Sequence, residues 1–300
     1  MTLIEAIQQR RSVRTYSKKN LSPGHRGKIE KILQEKREAP FGSPVRFRLL
    51  DLSSIEEERR GALGTYGFIR GASSFIAGIV SLPGNTSNRP SAAAAMVDLG
   101  YLFEYTILEL TVLGLGTCWL GGTLKREELT SLLQLASNEV LTALTPAGYP
   151  AERQGLQSKL IRFAAGSKHR KPWTELFFPA GAAANQLTPQ ASSENTKVLL
   201  ECVRLAPSAS NKQPWRIVRD GPYGELESYH FFLQRNKGYG MFGDYIDLQR
   251  VDMGIALCHF DAAAGELGVT GSWTADEKAA VQALPSMGTD WEYILSWRGE

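Results

Sequence analysis

The first candidate for chemistry in this chain of 300 residues is a short basic segment, Arg10-Arg11-Ser12-Val13-Arg14. Three guanidinium groups and one hydroxyl fall within five residues. A guanidinium presents a planar fork of N–H donors that fits phosphate oxygens, and a serine hydroxyl adds a further donor. The segment therefore predicts a binding site for a phosphate, although a solvated helix end would have the same composition.

A second candidate is a polar loop that lies between Pro207 and Pro214. The two prolines restrict the backbone at each end of the loop. Its hydrogen-bonding side chains are those of Ser208, Ser210, Asn211, Lys212 and Gln213. A loop of this kind can present donors and acceptors to a planar heterocycle, and a plain turn between a helix and a strand is the alternative.

A third candidate is a segment rich in glycine, with Gly114, Gly116, Gly121 and Gly122. Glycine lets a ligand approach the main chain, whose N–H groups can then donate to it. A helix C-cap and a tight turn would explain Gly114 and one or two of the others, but not all four. Cys118, in the same segment, has no base or second thiol beside it and is expected in the core.

A basic run, Lys168-His169-Arg170-Lys171-Pro172, completes the candidates. Lys168 and Arg170 could meet a phosphate, whereas such residues are more often solvated. The remaining histidines are scattered, so the sequence predicts no metal site.

Composition narrows the class of protein. Hydrophobic residues make up 43% and charged residues 22% of the chain, which is ordinary for a soluble globular protein. The formal net charge of +3 is too small to indicate binding to nucleic acid. Three cysteines form no disulfide framework, the first residues lack the apolar core typical of a signal peptide, and no apolar run is long enough to span a membrane. We therefore expect a cytoplasmic protein.

The chain also contains two similar segments, around residues 98–120 and 252–274. Five pairs of identical residues lie 154 positions apart: Asp98 and Asp252, Gly100 and Gly254, Leu113 and Leu267, Gly114 and Gly268, and Trp119 and Trp273. A second match relates the Ala-Pro dipeptides that begin at residues 39 and 206. A duplicated chain can build within one polypeptide what a homodimer builds from two copies.

The elements that must position these candidates follow from apolar periodicity and turn residues. The sequence predicts helices near 4–7 and over 26–38, 92–113, 126–135, 196–205 and 252–267. It predicts strands over 45–52, 75–82, 141–148, 215–219, 229–234 and 293–297. Residues 83–90 are expected to form a loop, and 179–190 a linker. We therefore expect an α+β fold with helices on both sides of a sheet, in two related domains over 1–178 and 189–300.

Taken together, these motifs resemble those of the FMN-dependent nitroreductase family. The family opens with an Arg-Arg-Ser-x-Arg element, as in Arg10 to Arg14, and has an Ala-Pro-Ser-x-x-Asn-x-Gln-Pro-Trp element, as in Ala206 to Trp215. It also has a long helix that leads to a glycine loop, as in Gly114 to Gly122, and a Lys-x-Arg-x-Pro element, as in Lys168 to Pro172. The resemblance spans most of the chain and implies an α/β/α sandwich.

The chain departs from the family pattern in one respect. The first half carries Ala39-Pro40-Phe41-Gly42-Ser43-Pro44 where ordinary members have the Pro-Ser-x-x-Asn loop, and the second half lacks both basic elements. The chain is therefore similar to a single-chain, duplicated branch of the family, in which one chain forms a pseudo-dimer. The resemblance implies one complete site between the halves, with one FMN per chain. The implied cofactor-binding residues are Arg10, Arg11, Ser12, Arg14, Gly121, Gly122, Lys168, Arg170, Pro207, Ser208, Ser210 and Asn211.

The resemblance further implies a flavoenzyme that takes hydride from NAD(P)H and passes electrons to a nitro compound or a quinone. No catalytic acid is implied. The alternatives are a different reductive flavin reaction, and a chain that has lost catalysis and now binds flavin or senses a ligand. Because the pseudo-dimer already buries the usual dimer surface, we expect a monomer. Residues 83–90 and 239–247 are candidate lids, on composition alone.

Overall fold

The computed structural model describes residues 1–56, 69–82, 89–122, 124–152, 169–181, 187–221, 227–242, 245–285 and 290–300. Its α-helices are α1 (Leu3–Gln9), α2 (Pro23–Gln34), α3 (Arg89–Val112), α4 (Arg126–Leu133), α5 (Trp173–Leu176), α6 (Glu194–Leu205), α7 (Leu248–Leu267) and α8 (Glu277–Ala283). Its strands are β1 (Val45–Asp51), β2 (Ser74–Ser81), β3 (Glu139–Pro146), β4 (Phe177–Pro179), β5 (Trp215–Asp220), β6 (Ser228–Leu233), β7 (Met241–Phe242), β8 (Ile246–Asp247), β9 (Gly271–Thr274) and β10 (Glu292–Gly299). None of the helices in the described ranges is long and apolar enough to cross a lipid bilayer.

Every helix and strand predicted from the sequence is present, with ends that differ by a few residues. The helix predicted over 26–38 begins earlier, at Pro23, because Ser22 caps it and accepts a hydrogen bond from the backbone of His25. The loop predicted over 83–90 ends too late, since α3 already begins at Arg89; residues 83–88 lie outside the described part of the chain. Strands β4, β7, β8 and β9 and helices α5 and α8 were not predicted.

Each half contributes a sheet, which is antiparallel in the first half and mixed in the second. The first has the strand order β1-β2-β3, and the segment after α3 bridges to this sheet through Leu120 and Leu144. The second has the order β4-β5-β6-β10-β9. The two halves are alike at this sheet edge. In the second half, the strand that follows the long helix α7 is β9, and it pairs with β10. In the first half, the segment that follows the long helix α3 lies beside β3 in the same way. Strand β4, which contains the domain boundary predicted at residue 178, pairs in parallel with β5 of the second half.

Helices cover both faces of each sheet. Along β2, Ile76 and Val80 belong to the central core that contains α3 and α7, whereas Phe75 and Ile79 point to the opposite face, which α4 covers. Such alternation is the period of two expected for a strand. The second sheet repeats the arrangement, because Phe232 of β6 packs with Ala280 of α8 on the outer face. Both sheets therefore lie between helices, as the sequence predicts.

The two long helices, α3 and α7, cross in direct backbone contact at two glycines. A Cβ atom on Gly100 would overlap the carbonyl oxygen of Val251, and a Cβ atom on Gly254 would overlap that of Val97. Val97 and Val251, like the two glycines, are 154 positions apart. The contact is therefore self-complementary, as at a twofold interface between identical subunits.

Candidate functional site

The basic segment at the N-terminus runs beside the glycine-rich segment. Helix α1 ends at Gln9, and the backbone N–H of Val13 donates to the carbonyl of Thr117 at 2.8 Å. The side chain of Val13 fills the space over Gly116, where a Cβ atom would lie only 2.9 Å from it. Gly116 is thus required by the close approach of this segment.

The arginines of that segment differ in exposure. Only 7% of the Arg10 side chain is exposed. Within the described part of the chain, Nε and Nη1 of Arg10 and Nη1 of Arg14 are buried without a hydrogen-bond partner. Arg11 is exposed and is not brought into this buried group. A buried charged donor without a partner is costly, typically by more than about 1–3 kcal/mol, so these atoms mark a place where an anion would be stabilised.

The polar loop of the second half adopts a strained backbone. Ser210, Asn211 and Gln213 have φ angles of 48°, 55° and 49°, in the left-handed region that non-glycine residues rarely occupy. Gln213 holds the loop, since its Oε1 accepts from the N–H of Lys171 at 2.8 Å and its Nε2 donates to the carbonyl of Asn211 at 3.1 Å. Strain of this kind persists only where surrounding contacts impose it, and it is typical of binding sites.

The basic run and the polar loop are in direct contact. Arg170 donates through Nη1 to Oδ1 of Asn211 and through Nη2 to the carbonyl of Leu205, each at 2.8 Å. Burial, with the nearby positive charges of Arg10 and Arg204, lowers the pKa of Arg170 to about 10. The charge of Arg10 is thus near enough to act on Arg170, and Arg170 links the first half to Asn211. Lys168 lies outside the described residues.

The serines of the loop are also bonded within the protein. Ser208 Oγ accepts from the N–H of Gln213 at 2.9 Å, and Ser210 Oγ accepts from the hydroxyl of Tyr239 at 2.7 Å. A hydroxyl that accepts one bond can still donate its own hydrogen. Pro207, which precedes Ser208, is half-buried at the start of the loop.

The glycine loop meets side chains of the second half. A Cβ atom on Gly122 would lie 2.9 Å from Cζ of Phe242, and one on Gly121 would lie 3.0 Å from a methyl carbon of Leu248. Arg126 fixes the loop by donating to the carbonyl of Gly121 at 2.7 Å. The candidate lid over 239–247 thus contacts both loops, through Tyr239 and Phe242; residues 243–244 lie outside the described part.

A buried carboxylate that the sequence did not single out lies beside Arg10. Glu104 of α3 has a fully buried side chain, and its Oε1 is 3.7 Å from Nε of Arg10. Trp119 donates to Glu104 Oε2 at 2.6 Å, and Nε2 of His259, on α7, is 3.0 Å from Oε1. An acidic residue between apolar residues of α3 was the available signal. Its partner His259 could not be found in this way, because it lies 155 positions away.

Equivalent aspartates support the two turns that carry the Ala-Pro dipeptides. Asp252 Oδ1 accepts from the N–H of Ala209 at 2.9 Å, and Asp98 accepts from the N–H groups of Phe41 and Ser43 at 2.9 and 2.8 Å. Burial raises the pKa of both carboxyl groups, and the charge of Asp247 raises that of Asp252 further.

The raised pKa of Asp252 predicts a pH-dependent stability. Because the folded state holds this proton more tightly than the unfolded state, the stabilisation from Asp252 is complete in acid and is lost as the pH rises. Asp252→Asn keeps the acceptor for Ala209 and removes the titration, so we expect its stability relative to the wild type to rise as the pH is raised from 5 to 8. Thermal unfolding at the two pH values measures the difference. Asp252→Ala lacks the acceptor for Ala209 and should be less stable than the wild type at both pH values. If Asp252→Asn were also less stable than the wild type by the same amount at both pH values, the raised pKa assigned to Asp252 would be contradicted.

No group of three or more histidine, cysteine or acidic residues in the described ranges could hold a metal ion. All three cysteines are buried and free, and burial raises the pKa of Cys118. Cys118 is therefore a core residue, as predicted.

Comparison with known proteins identifies the fold. A family model described as "Putative TM nitroreductase" matches residues 2–264. The structure of a putative nitroreductase (TM1586) from Thermotoga maritima MSB8 is 18% identical, and the alignment covers 100% of this chain and 93% of that chain with a TM-score of 0.57. This similarity confirms the α+β nitroreductase-like fold that the sequence predicts.

Other solved structures match one half of the length. A nitroreductase family protein from Clostridium novyi NT is 18% identical over 51% of this chain and 87% of that chain, with a TM-score of 0.41. An FMN-dependent nitroreductase from Clostridium difficile R20291 is 20% identical over 50% of this chain and 89% of that chain, with a TM-score of 0.37. No curated protein matches the chain.

Proposed function

The chain belongs to the TM nitroreductase family, a family of nitroreductase-type oxidoreductases, and from that premise we propose that it binds one FMN between its two halves. We further propose that it uses this flavin to pass electrons from NAD(P)H to a nitro compound or a quinone. The observation that carries the proposal is the group of buried, unpaired N–H donors of Arg10 and Arg14, next to the contact between Arg170 and Asn211.

The donor set fits the phosphate of FMN. A phosphate monoester carries close to two negative charges at neutral pH and several strong acceptor oxygens. Nη1 of Arg10 and Nη1 of Arg14, which have no hydrogen-bond partner in the protein, could each donate to one of those oxygens, whereas Nε of Arg10 lies 3.7 Å from Glu104. Arg170 adds a further positive charge, although two of its five N–H donors are already bonded to Asn211 and Leu205. An apolar or cationic ligand would leave the buried donors of Arg10 and Arg14 unpaired, so an anion is favoured.

The ring and ribityl chain would then lie toward the polar loop and the glycine loop. Ser208 and Ser210 each accept one bond inside the protein, so their hydroxyl hydrogens can be donated to a ligand. Gly121 and Gly122 pack so closely against Leu248 and Phe242 that a Cβ atom on either would crowd those side chains, so a ligand on this loop would meet its main chain beside them. Ser12 lies on the same segment as Arg10, beside Thr117, and would be a further contact of the phosphate.

FMN, when bound, supplies the hydride and electron transfer itself. The residues of the chain bind and orient it: the arginines neutralise the phosphate, and the two loops confine the ring. Tyr239 contacts the polar loop and Phe242 contacts the glycine loop, so both side chains would border the acceptor. The flavin supplies the redox chemistry, so the proposal requires no catalytic acid from the protein.

The simplest test is to purify the protein, record its absorbance and add NAD(P)H with a nitroaromatic or quinone acceptor. We expect a yellow protein with a flavin spectrum that oxidises NAD(P)H only when the acceptor is present. A yellow protein without turnover would contradict the enzyme assignment and favour a flavin-binding or sensing role. A colourless protein that does not take up added FMN would contradict flavin binding altogether.

We also propose that the two halves, 1–178 and 189–300, form an intrachain pseudo-dimer, that the protein is a monomer and that it works in the cytoplasm. The self-complementary contact of Gly100 and Gly254 and the matching strand orders support the pseudo-dimer. Three free cysteines suit a reducing compartment.

A further inference from the structure

The buried cluster around Glu104 has a defined count of protons. Nδ1 of His259 is 2.8 Å from the carbonyl oxygen of Cys202, which can only accept, so Nδ1 must carry a hydrogen. Nε2 of His259 faces Oε1 of Glu104 at 3.0 Å, and that contact also needs a hydrogen. The second hydrogen belongs either to an imidazolium or to a carboxylic acid.

Both arrangements leave the Glu104–His259 pair without net charge. Arg10, which lies 3.7 Å from the same oxygen, therefore keeps its full positive charge for a ligand. A carboxylate alone would have neutralised that charge. The pair can thus hold the Arg10 guanidinium in place while leaving it able to attract an anion.

The second half shows that the fold does not need this carboxylate. Cys258 occupies the position 154 residues after Glu104, and Trp273 the position 154 residues after Trp119. Among the described residues, Nε1 of Trp273 is buried and has no hydrogen-bond partner, whereas Nε1 of Trp119 donates to Glu104. The carboxylate is present in the half that carries Arg10 and absent from the half that lacks a basic N-terminal segment.

We propose that Glu104 is a positioning residue that orients Arg10 toward the phosphate of the flavin, with Trp119 and His259 fixing the carboxylate. His259 comes from α7, so the second half shapes the phosphate end of the site as well as the ring end. This inference rests on the proposed function, because it requires a phosphate ligand at Arg10.

The test compares FMN with riboflavin, which lacks the phosphate, as ligands of Glu104→Gln. Glutamine has nearly the same shape, can accept from Trp119 and can donate to a neutral His259, so the fold should be retained. Glutamine lacks the carboxylate oxygen that lies near Nε of Arg10, so the variant loses the attraction that holds the Arg10 side chain in place. We expect the dissociation constant for FMN to rise about tenfold, the equivalent of one weakened charge-assisted hydrogen bond, while that for riboflavin stays within about twofold.

Trp119→Phe provides a second, milder variant that removes only the N–H donor to Glu104, and it should weaken FMN binding in the same selective way. Glu227→Gln serves as the matched control. Glu227 is another largely buried carboxylate with an arginine partner, Arg219 at 2.7 Å, and it immediately precedes β6 of the second sheet. This control should leave both flavin affinities unchanged, and thermal unfolding measures the stability of every variant.

The outcomes separate this proposal from the proposed function. Equal losses for FMN and riboflavin in Glu104→Gln would show a general structural role and overturn the proposal, as would no loss for either ligand. A wild-type protein that binds neither flavin would overturn the proposed function, and this inference with it. A wild-type protein that binds FMN, together with a selective loss in Glu104→Gln, supports both.

Discussion

Alanine at Gly254 should destabilise the protein by about 3 kcal/mol or more, because the new Cβ atom would overlap the carbonyl oxygen of Val97 and force α3 and α7 apart. At the size of this chain, a loss of about 3 kcal/mol corresponds to a fall in melting temperature of about 5 °C. Gly100→Ala should have a similar effect, since its Cβ atom would overlap the carbonyl of Val251. Thermal unfolding followed by circular dichroism measures both.

Gly265→Ala is the matched control on the same helix. A Cβ atom there has no atom within 4 Å, so the substitution should stabilise α7 by about 0.5–1 kcal/mol through helix propensity alone. If Gly254→Ala were as stable as Gly265→Ala, the close crossing of the two helices would be wrong, and with it the support for a pseudo-dimer.

Alanine at Arg10 should weaken FMN binding by about 10- to 100-fold, because a charge-assisted hydrogen bond to phosphate contributes about 1.5–3 kcal/mol. Arg10 is nearly buried and has two unpaired N–H-bearing atoms. A titration of the flavin-free protein with FMN, followed by flavin fluorescence, measures the change.

Arg11→Ala is the control for that experiment, since Arg11 is the adjacent residue, of the same type, and is exposed. We expect it to change FMN affinity by less than about twofold, as for an exposed charge. Equal losses in the two variants would mean that general positive charge, rather than the buried Arg10 donors, attracts the ligand. No loss in Arg10→Ala would remove the phosphate site from this location.

Most of the fold could be predicted from the sequence because its long elements have clear apolar periodicity. Helices α3 and α7 and strands β2 and β6 are of this kind. Strand β4 has three residues and pairs with a strand of the other half, so nothing local in its sequence marks it. Strand β9 has four residues with no buried face, and helix α8 has seven residues. Such short elements depend on tertiary contacts rather than on their own pattern.

The candidate site was predicted in part, and the difference follows from what a motif can encode. Arg170 of the basic run contacts Asn211 of the polar loop. Arg11 does not join them: it belongs to the same basic segment as Arg10 but is exposed, and neighbouring residues of an extended segment point in different directions.

Gln213 lay within the polar motif but was not identified as the residue that holds the loop. Its role depends on a bond to Lys171, 42 positions earlier. The cluster of Glu104 and His259 depends on the packing of α3 against α7. Contacts across such distances in sequence cannot be found from composition or spacing.

The ratio of bound FMN to protein tests the central claim most directly. The claim is that one chain builds a single flavin site from two unlike halves. Equilibrium dialysis of the flavin-free protein against excess FMN, with protein quantified by amino-acid analysis, should give one FMN per chain. A ratio near two would mean that each half completes a site of its own, and a ratio near zero would mean that the buried arginines serve another purpose.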